Sequence, residues 1–365
     1  MSNTRPNIGD TLGELSTPRL LIDVPAMDHN FDVIAKTYAG KVCKMRQHAK
    51  NIKSPLIMQR QIDAGGTLNG VCAAKVTEAE VMVEGGIRDI LVTSEVSSPS
   101  KLRRLASLAK IADIKLCVDN PENLEQVSQI ALDTESKIGV LIEVDTSMGR
   151  AGVRTPEEGV LLAQKANELK GVQFMGVMSH QSIEGWADRE TRFTEGRRYI
   201  EICLEVKKAI EEAGIPVEMV SSGETFTFDV APEIEGVTEV EGGTYALMSA
   251  TNGYMEDFQI AAKVMATVLD TRDEYGFIDA GLQCLGGPMG VKPFVEGYPN
   301  MEFVRMDASE SCLRSSGPFP FEAGDRLFLL SAQQDILVNR WDAFVAVNGD
   351  VVEAVWDIPA RGCHH

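Results

Sequence analysis

The chain has few histidines and a shortage of basic charge, and both narrow the functions open to it. Five histidines occur, and two of them end the chain, which leaves His29, His48 and His180 for any chemistry. Lysine and arginine number 35 against 54 acidic residues, a net charge of −19. Because nucleic-acid affinity rests largely on clustered lysine and arginine, we expect no nucleic-acid partner.

Paired cysteines and long apolar runs are also lacking. The seven cysteines are odd in number and scattered, with no CxxC pair. This usage predicts reduced thiols and a cytoplasmic protein. The first 18 residues lack the apolar core of a signal peptide, and no run of about 18 apolar residues offers a membrane span. We therefore expect no membrane partner.

Short apolar runs alternate with helical patterns from about residue 20 to residue 250, as in DILVT followed by SPSKLRRLASLAK. Such alternation predicts βα units with a parallel sheet. Eight or nine units over about 225 residues match a closed (β/α)8 barrel better than an open sheet. After residue 255 strand-like runs separated by turns take over, with NGD at 348–350 as a hairpin turn. The predicted fold class is α/β, a TIM-type barrel followed by a β domain.

Chemistry in such a barrel lies at the carboxyl ends of the strands. In RQHAK, alternation along a strand puts Arg46, His48 and Lys50 on one face, with Lys50 nearest the mouth. A lysine confined beside other cations has a lowered pKa and can form a Schiff base. The alternative is that this segment is a solvated basic loop. We expect Lys53 to be an ordinary residue of the connection to the next helix.

Two further strand ends carry candidate functional side chains, Arg150 and His180. Arg150 follows the apolar strand of VLIEVD and can reach an anionic oxygen, whereas Gly149 and Gly152 shape a turn before a helix that begins at Thr155. His180 ends the strand FMGVMSH, where its imidazole can stack on an aromatic ring or serve as a structural group.

The last two barrel strands are each followed by a glycine-containing loop. Backbone N–H groups and hydroxyls in these loops can cradle a phosphate, or the loops can be simple turns. The candidate phosphate-binding residues are Ser222, Gly223, Thr225, Gly243 and Thr244. A Schiff-base lysine, an arginine, a stacking histidine and a phosphate cradle together indicate a site for pyridoxal 5′-phosphate.

These segments resemble a known family in order and spacing over more than 300 residues. RQHAKNIKSP is similar to the R-x-H-x-K-x-x-K segment of the alanine-racemase-like, fold-type III pyridoxal phosphate enzymes, within the D-threonine aldolase and D-serine dehydratase group. TPRLLIDVPAMDHNF, IDAGL and VWDIPARG resemble that group's terminal segments. The resemblance implies a barrel over residues 27–254 and a β domain from residues 1–26 and 255–365, so that the N-terminal strand joins the β domain.

Carried over by residue, the resemblance implies roles around the cofactor. Lys50 bears the cofactor with His48 as its neighbour, Arg150 faces the phenolic oxygen, and His180 sits against the ring. Glu241 stands where several relatives have Arg or Gln, and it resembles the decarboxylase glutamate that binds the pyridine nitrogen. Tyr245 ends the Gly-x-x-Tyr turn that follows and is included among the cofactor-binding residues.

The resemblance also implies a divalent metal bound by a His-x-Cys or His-x-Asp pair in the β domain. Here Gln333 stands at the histidine position and Asp335 at the acid position. Amide and carboxylate oxygens suit Mg²⁺ or Mn²⁺ better than Zn²⁺, and a site without imidazole is weaker. The alternative is a chain that binds no metal.

The predicted activity is that of a pyridoxal phosphate-dependent lyase on a small-molecule substrate. The favoured reaction is retro-aldol cleavage of a D-3-hydroxy amino acid to glycine and an aldehyde. The alternatives are, in order, a dehydratase acting on D-serine or 3-hydroxy-D-aspartate, an amino-acid racemase, and a non-catalytic pyridoxal phosphate-binding protein. By resemblance we expect a homodimer.

Overall fold

The computed structural model describes residues 5–181, 188–286 and 291–365. Its residues form two compact units. The barrel unit comprises residues 32–50, 55–243 and 363–365, and the β unit comprises residues 1–31, 51–54 and 244–362. The division near the N-terminus falls within the first helix, α1 (Val24–Thr37). Residues 1–4, which belong to the predicted β domain, lie outside the described residues.

The barrel unit confirms the predicted (β/α)8 barrel. Eight parallel strands close on themselves in chain order. They are β2 (Lys44–His48), β3 (Thr67–Ala73), β4 (Asp89–Val92), β5 (Asp113–Val118), β6 (Ile138–Glu143), β7 (Val172–Ser179), β8 (Met219–Ser222) and β9 (Glu239–Gly242). The helices between them are α2 (Pro55–Ala64), α3 (Val76–Glu84), α4 (Pro99–Leu108), α5 (Pro121–Asp133), α6 (Pro156–Glu168) and α7 (Arg189–Glu212).

Local sequence signals set the helix starts. Thr155 caps α6: its hydroxyl accepts a hydrogen bond from the backbone N–H of Glu158, and the Glu158 carboxylate accepts one from the Thr155 N–H. Pro156 follows at the first helical position, where a missing N–H costs nothing. This start agrees with the sequence prediction. At the start of α5 the Asn120 side chain accepts from the N–H of Asn123, and Pro121 takes the first helical position.

The barrel interior is layered along the strands. Near the strand starts, the buried Arg46 guanidinium makes two hydrogen bonds to Glu239, with Nε–Oε1 at 2.9 Å and Nη2–Oε2 at 2.8 Å. Its Nη1 lies 3.0 Å from Asp89, which also binds Lys115 Nζ at 2.8 Å. Above this ionic layer is an apolar one, formed by Cys72, Leu91, Cys117, Leu141 and Met178. Paired charges and apolar side chains therefore fill the barrel up to its carboxyl end.

The β unit contains the remaining strands in one antiparallel-rich sheet. They are β1 (Arg19–Asp23), β10 (Ala262–Arg272), β11 (Tyr275–Ile278), β12 (Phe294–Val295), β13 (Glu302–Met306), β14 (Ser311–Arg314), β15 (Arg326–Leu330), β16 (Ala343–Asn348) and β17 (Val351–Asp357). Strand β1 pairs antiparallel with β10 and parallel with β16, which confirms that the N-terminal strand joins the β domain. Two short helices complete it, α8 (Leu282–Leu285) and α9 (Gln334–Val338).

The hairpin predicted at NGD is present between β16 and β17. Asn348 pairs with Val351 across a two-residue loop, and Gly349 adopts a φ of +59° that this tight turn requires.

All seven cysteines are free thiols. Among the described residues, none of the helices combines the length and apolar character needed to cross a membrane.

Candidate active site

Side chains from six barrel strands and the loops after them line one cavity. The lining residues are His48, Lys50, Ala74, Thr93, Ser94, Arg150, Met178, His180 and Glu241. Five of these residues were predicted from the sequence as site residues. The cavity is therefore faced by an amine, a guanidinium, two imidazoles and a carboxyl group.

Lys50 reaches the cavity by a different route from the one predicted. Strand β2 ends at His48, and Lys50 lies in a single 3₁₀ turn, Ala49–Asn51, so strand alternation does not extend to it. The backbone N–H of Lys50 donates to Nδ1 of His48 at 3.4 Å. Since Nδ1 of a neutral His48 accepts, its Nε2 carries the proton and donates to Thr93 Oγ1 at 3.2 Å. His48 thus connects the turn that presents Lys50 to the end of β4.

Arg150 lies in a loop that folds back on β6. The N–H of Val153 donates to the Glu143 carbonyl at 2.9 Å, and the N–H of Asp145 donates to the Val153 carbonyl at 3.0 Å. Gly152 has a φ of +109°, and a Cβ there would lie 2.5 Å from the Asp145 nitrogen. Only glycine fits this crossing without a shift of the backbone, so Gly152 closes the loop that carries Arg150 to the cavity.

His180 follows the end of β7, with a quarter of its side chain exposed. Burial among protein atoms, together with the positive charges of Lys50 and Arg150, lowers the pKa of His180 to about 3. The imidazole is consequently neutral at physiological pH. Its Nε2 lies 3.9 Å from a carboxylate oxygen of Glu224, a residue that was not predicted from the sequence.

Glu241 is buried on β9, where it faces the cavity. Its Oε1 accepts a hydrogen bond from the Ser221 hydroxyl at 3.0 Å. Burial, followed by the charge of Glu239, raises the pKa of Glu241 to about 7, against the lowering effects of Ser221, Arg46 and Lys50. A carboxyl group with this pKa can hold or release a proton at physiological pH.

The first predicted phosphate loop follows β8. The Ser222 hydroxyl is buried and lies 2.8 Å from the Ser179 hydroxyl and 3.2 Å from Nε2 of Gln181. Gly223 has a φ of +120°, and Thr225 begins a buried 3₁₀ turn. These three residues lie outside the lining of the cavity given above.

The second predicted phosphate loop follows β9, the strand adjacent to β8 in the barrel. Gly243 is buried at the end of the barrel unit, and Thr244 begins a 3₁₀ turn in the β unit. Tyr245 is completely buried in the β unit, with its ring centroid 5.8 Å from that of Phe258. Burial raises the pKa of Tyr245 well above its usual value.

The predicted metal ligands lie at the start of α9. Gln333 is its N-cap, and its backbone exchanges hydrogen bonds with the Ser331 hydroxyl. Oδ1 of Asp335 is buried and has no hydrogen-bond partner among the described residues. Within the same parts of the chain, no group of three His, Cys, Asp or Glu side chains converges as a metal site would require. An amide and one carboxylate do not make a convincing metal site.

The structure adds residues that the sequence reading missed. Thr93 and Ser94 line the cavity directly after β4, and Ala74 does so after β3. The signal was available in DILVTS, where two hydroxyl residues end an apolar strand.

Comparison with known proteins agrees with this architecture. Residues 22–250 match the family model of the alanine racemase N-terminal domain. The chain is 34% identical over 364 residues to a D-threonine aldolase of Arthrobacter sp, covering 97% of this chain and 95% of the relative. It is 29% identical to a 3-hydroxy-D-aspartate aldolase of Paracoccus denitrificans, covering 96% and 93%. The solved structure of D-threonine aldolase from Filomicrobium marinum superposes with a TM-score of 0.93 at 29% identity, covering 99% of this chain and 100% of that one.

Proposed function

Because this chain belongs to the alanine-racemase-like family that includes the D-threonine aldolases, we propose that it is a pyridoxal phosphate-dependent lyase. The proposed reaction is retro-aldol cleavage of a D-3-hydroxy amino acid to glycine and an aldehyde. The observation that carries the proposal is the shared cavity in which Lys50, Arg150, His180 and Glu241 meet.

The residues present fit the cofactor. A pyridoxal ring offers a carbonyl carbon, a phenolic oxygen and a ring nitrogen, and the cavity offers an amine, a guanidinium and a carboxyl group. When bound, the cofactor supplies an electron sink that stabilises the carbanion left by bond cleavage. We assign Lys50 Nζ to the carbonyl carbon and Arg150 to the phenolic oxygen.

Glu241 and His180 set the protonation around the ring. Glu241, with a pKa of about 7, is assigned to hold a proton at the ring nitrogen. His180, neutral because its pKa is about 3, is assigned to pack against the ring without adding positive charge. A carboxylate at the nitrogen and a neutral imidazole on the face favour a ring that withdraws electrons strongly.

The loops after β8 and β9 are assigned to the phosphate. They leave adjacent strands at the carboxyl end of the barrel, the place where TIM-type barrels commonly bind phosphate. Backbone N–H groups around Gly223 and Gly243 and the hydroxyls of Ser222, Thr225 and Thr244 are the proposed donors. We keep Tyr245 as a packing residue of the second loop.

Cleavage requires the proton of the substrate's β-hydroxyl to leave. The Lys50 side chain lies in the same cavity, so we assign its Nζ, as a free amine, to move this proton. His48 is assigned to orient the Lys50 turn through its Nδ1. No step is assigned to a metal, since the side chains around Gln333 and Asp335 do not fit one.

We further propose that the protein is cytoplasmic and forms a homodimer. For each chain we propose a barrel domain of residues 27–254 and a β domain of residues 1–26 and 255–365. Seven free thiols support a reducing compartment. The dimer rests on the family resemblance, and sedimentation of the purified chain tests it.

The cofactor assignment is tested by reduction with borohydride after incubation with pyridoxal phosphate. Peptide mapping is expected to find the pyridoxyl group on Lys50. Lys50→Ala is expected to abolish the label and the visible absorbance band, and Lys41→Ala, an exposed lysine just before β2, is expected to keep both. A label on Lys53, or an undiminished label in Lys50→Ala, would disprove the assignment.

The reaction is tested with D-threonine, D-serine and 3-hydroxy-D-aspartate as substrates. Glycine and an aldehyde support the proposed cleavage. A keto acid and ammonia would identify a dehydratase, and a change of optical rotation alone would identify a racemase. Bound cofactor without turnover of any substrate would favour a non-catalytic binding protein.

A further inference from the structure

A series of hydrogen bonds runs along one wall of the candidate cofactor cavity, and its direction is fixed at one end. The backbone N–H of Lys50 faces Nδ1 of His48 at 3.4 Å, and Nε2 of His48 lies 3.2 Å from Oγ1 of Thr93. Thr93 is the first residue after β4, and it lines the cavity together with His48 and Lys50. All three residues belong to the barrel unit.

The backbone N–H of Lys50 can only donate, so it decides which ring nitrogen of His48 carries a proton. A proton on Nδ1 would place two donors against each other, so the contact requires an unprotonated Nδ1. The His48 ring is therefore neutral, with its proton on Nε2. Because Nε2 donates, the Thr93 oxygen accepts this bond, and the bond does not use the Thr93 hydroxyl hydrogen.

The Thr93 hydroxyl accepts from His48 and, in the part of the chain that the structure describes, has no other partner. The backbone N–H of Thr93 is used separately, since it donates to the Ala73 carbonyl at 3.0 Å. A hydroxyl group carries one donor hydrogen in addition to its acceptor lone pairs. The donor hydrogen of Thr93 is therefore available to a ligand that enters the cavity.

The neighbouring hydroxyl, that of Ser94, is already used by the protein. Ser94 also lines the cavity, but its Oγ donates to the Ala74 carbonyl at 2.9 Å, which ties the end of β4 to the end of β3. Of the two hydroxyl residues that follow β4, Thr93 is thus the one whose donor is left for a ligand.

The proposed function leaves one charged group of an amino-acid ligand without a donor, namely its α-carboxylate. Among the residues that line the cavity, the cations are Lys50 and Arg150, and both are assigned to the cofactor. Glu241 is assigned to the ring nitrogen and offers no positive charge to an anion. Carboxylate oxygens only accept hydrogen bonds, and a hydroxyl that donates to one forms a short, charge-assisted bond.

We propose that Thr93 Oγ1 donates to the α-carboxylate of the amino-acid substrate and so makes the site selective for ligands with a free carboxylate. This inference rests on the proposed function, because that function places an amino acid in the cavity. His48 is a positioning residue that acts through Thr93. Its Nε2–H occupies the hydroxyl oxygen, so the hydroxyl hydrogen points away from the imidazole.

The carboxylate contact is tested with two ligands that share an amine and differ in the carboxylate. D-alanine has the carboxylate but no β-hydroxyl, so retro-aldol cleavage cannot consume it, and ethylamine is the same molecule without the carboxylate. Dissociation constants are measured by absorbance titration of the cofactor-loaded chain. In Thr93→Val, which keeps the shape but loses the hydroxyl, the constant for D-alanine is expected to rise about 10- to 100-fold, and that for ethylamine to change by less than about twofold.

Thr93→Ser keeps a hydroxyl and is expected to retain the affinity for D-alanine. Thr134→Val, at the C-cap of α5, removes a hydroxyl that donates to the Ile130 carbonyl at 2.7 Å, and it is the control expected to match the wild type for both ligands. Equal weakening of D-alanine and ethylamine in Thr93→Val would reveal a merely structural role and overturn the proposal. An unchanged D-alanine constant would overturn it too.

The direction of the hydrogen bonds is tested on the full chain without cofactor, by the nitrogen NMR shifts of the histidine rings. The His48 signals, identified by their loss in His48→Gln, are expected to show a protonated Nε2 and an unprotonated Nδ1. A proton on Nδ1 would overturn the proposal. Thr93-dependent binding of D-alanine without cleavage of any 3-hydroxy amino acid would contradict the proposed reaction and still support the carboxylate contact. A chain that binds neither cofactor nor D-alanine would overturn both.

Discussion

The hydroxyl of Ser221 donates a hydrogen bond to Oε1 of Glu241 across 3.0 Å, between adjacent strands at the cavity floor. This bond lowers the pKa of Glu241 and opposes the burial and the Glu239 charge that raise it to about 7. Ser221 therefore acts together with Arg46 and Lys50 to favour the charged form of Glu241.

Ser221→Ala is expected to raise the pKa of Glu241 further. A hydrogen bond to a charged group contributes about 1.5–3 kcal/mol, which corresponds to a shift of about one to two pH units. The acidic limb of the kcat/KM profile should move to higher pH by this amount, and turnover at pH 7 should fall. Ser128→Ala, which removes a buried hydroxyl that accepts from Gly171, is the control with an unchanged profile. An unmoved limb in Ser221→Ala would contradict the role of Glu241.

Gly152→Ala is expected to destabilise the Arg150 loop. The φ of +109° is strained for alanine, and the new Cβ would lie 2.5 Å from the Asp145 nitrogen and 2.9 Å from the Val144 carbonyl carbon. We expect a loss of about 1–3 kcal/mol in unfolding free energy and a higher dissociation constant for the cofactor. Gly149→Ala, with a φ of +62° but open space around its Cβ, is the control and should lose less. Equal losses in the two variants would argue against the backbone crossing.

The sequence predicted the features that depend on local pattern. The barrel was predicted from alternating apolar runs and from helix starts such as Thr155–Pro156. The last hairpin was predicted from the NGD turn. Strand β12 has two residues and gives no periodic signal at that length. The place of β1 in the second sheet came from family resemblance, because its partners β10 and β16 are remote in the chain.

Local sequence pattern was also insufficient for those features of the site that depend on where a strand ends or on partners remote in the chain. Lys50 was identified, but the predicted alternation fails beyond His48 because β2 ends there. Similarly, Glu239 neutralises Arg46 from 193 residues away, so a basic cluster in the sequence became a paired charge in the fold.

Arg46→Met is expected to destabilise the barrel by about 3–5 kcal/mol, because it leaves the buried Glu239 carboxylate without its partner. The double variant Arg46→Met with Glu239→Met should recover much of this loss, since it removes the uncompensated charge. Chemical denaturation of the wild type, both single variants and the double variant measures the coupling. Additive losses in the double variant would show that the two side chains do not act as a pair.

Gln333→His is expected to create a metal dependence that the wild type lacks. In the wild type an amide and the Asp335 carboxylate, whose buried Oδ1 has no partner among the described residues, form a poor site for a divalent ion. An imidazole in place of the amide adds a strong ligand for Mn²⁺. Mn²⁺ affinity, measured by calorimetry, should tighten by at least about tenfold, equivalent to about 1.4 kcal/mol. Gln333→Asn keeps an amide and should not tighten binding. A wild type that binds Mn²⁺ as tightly as Gln333→His, and loses activity to a chelator, would show that the amide suffices as a ligand.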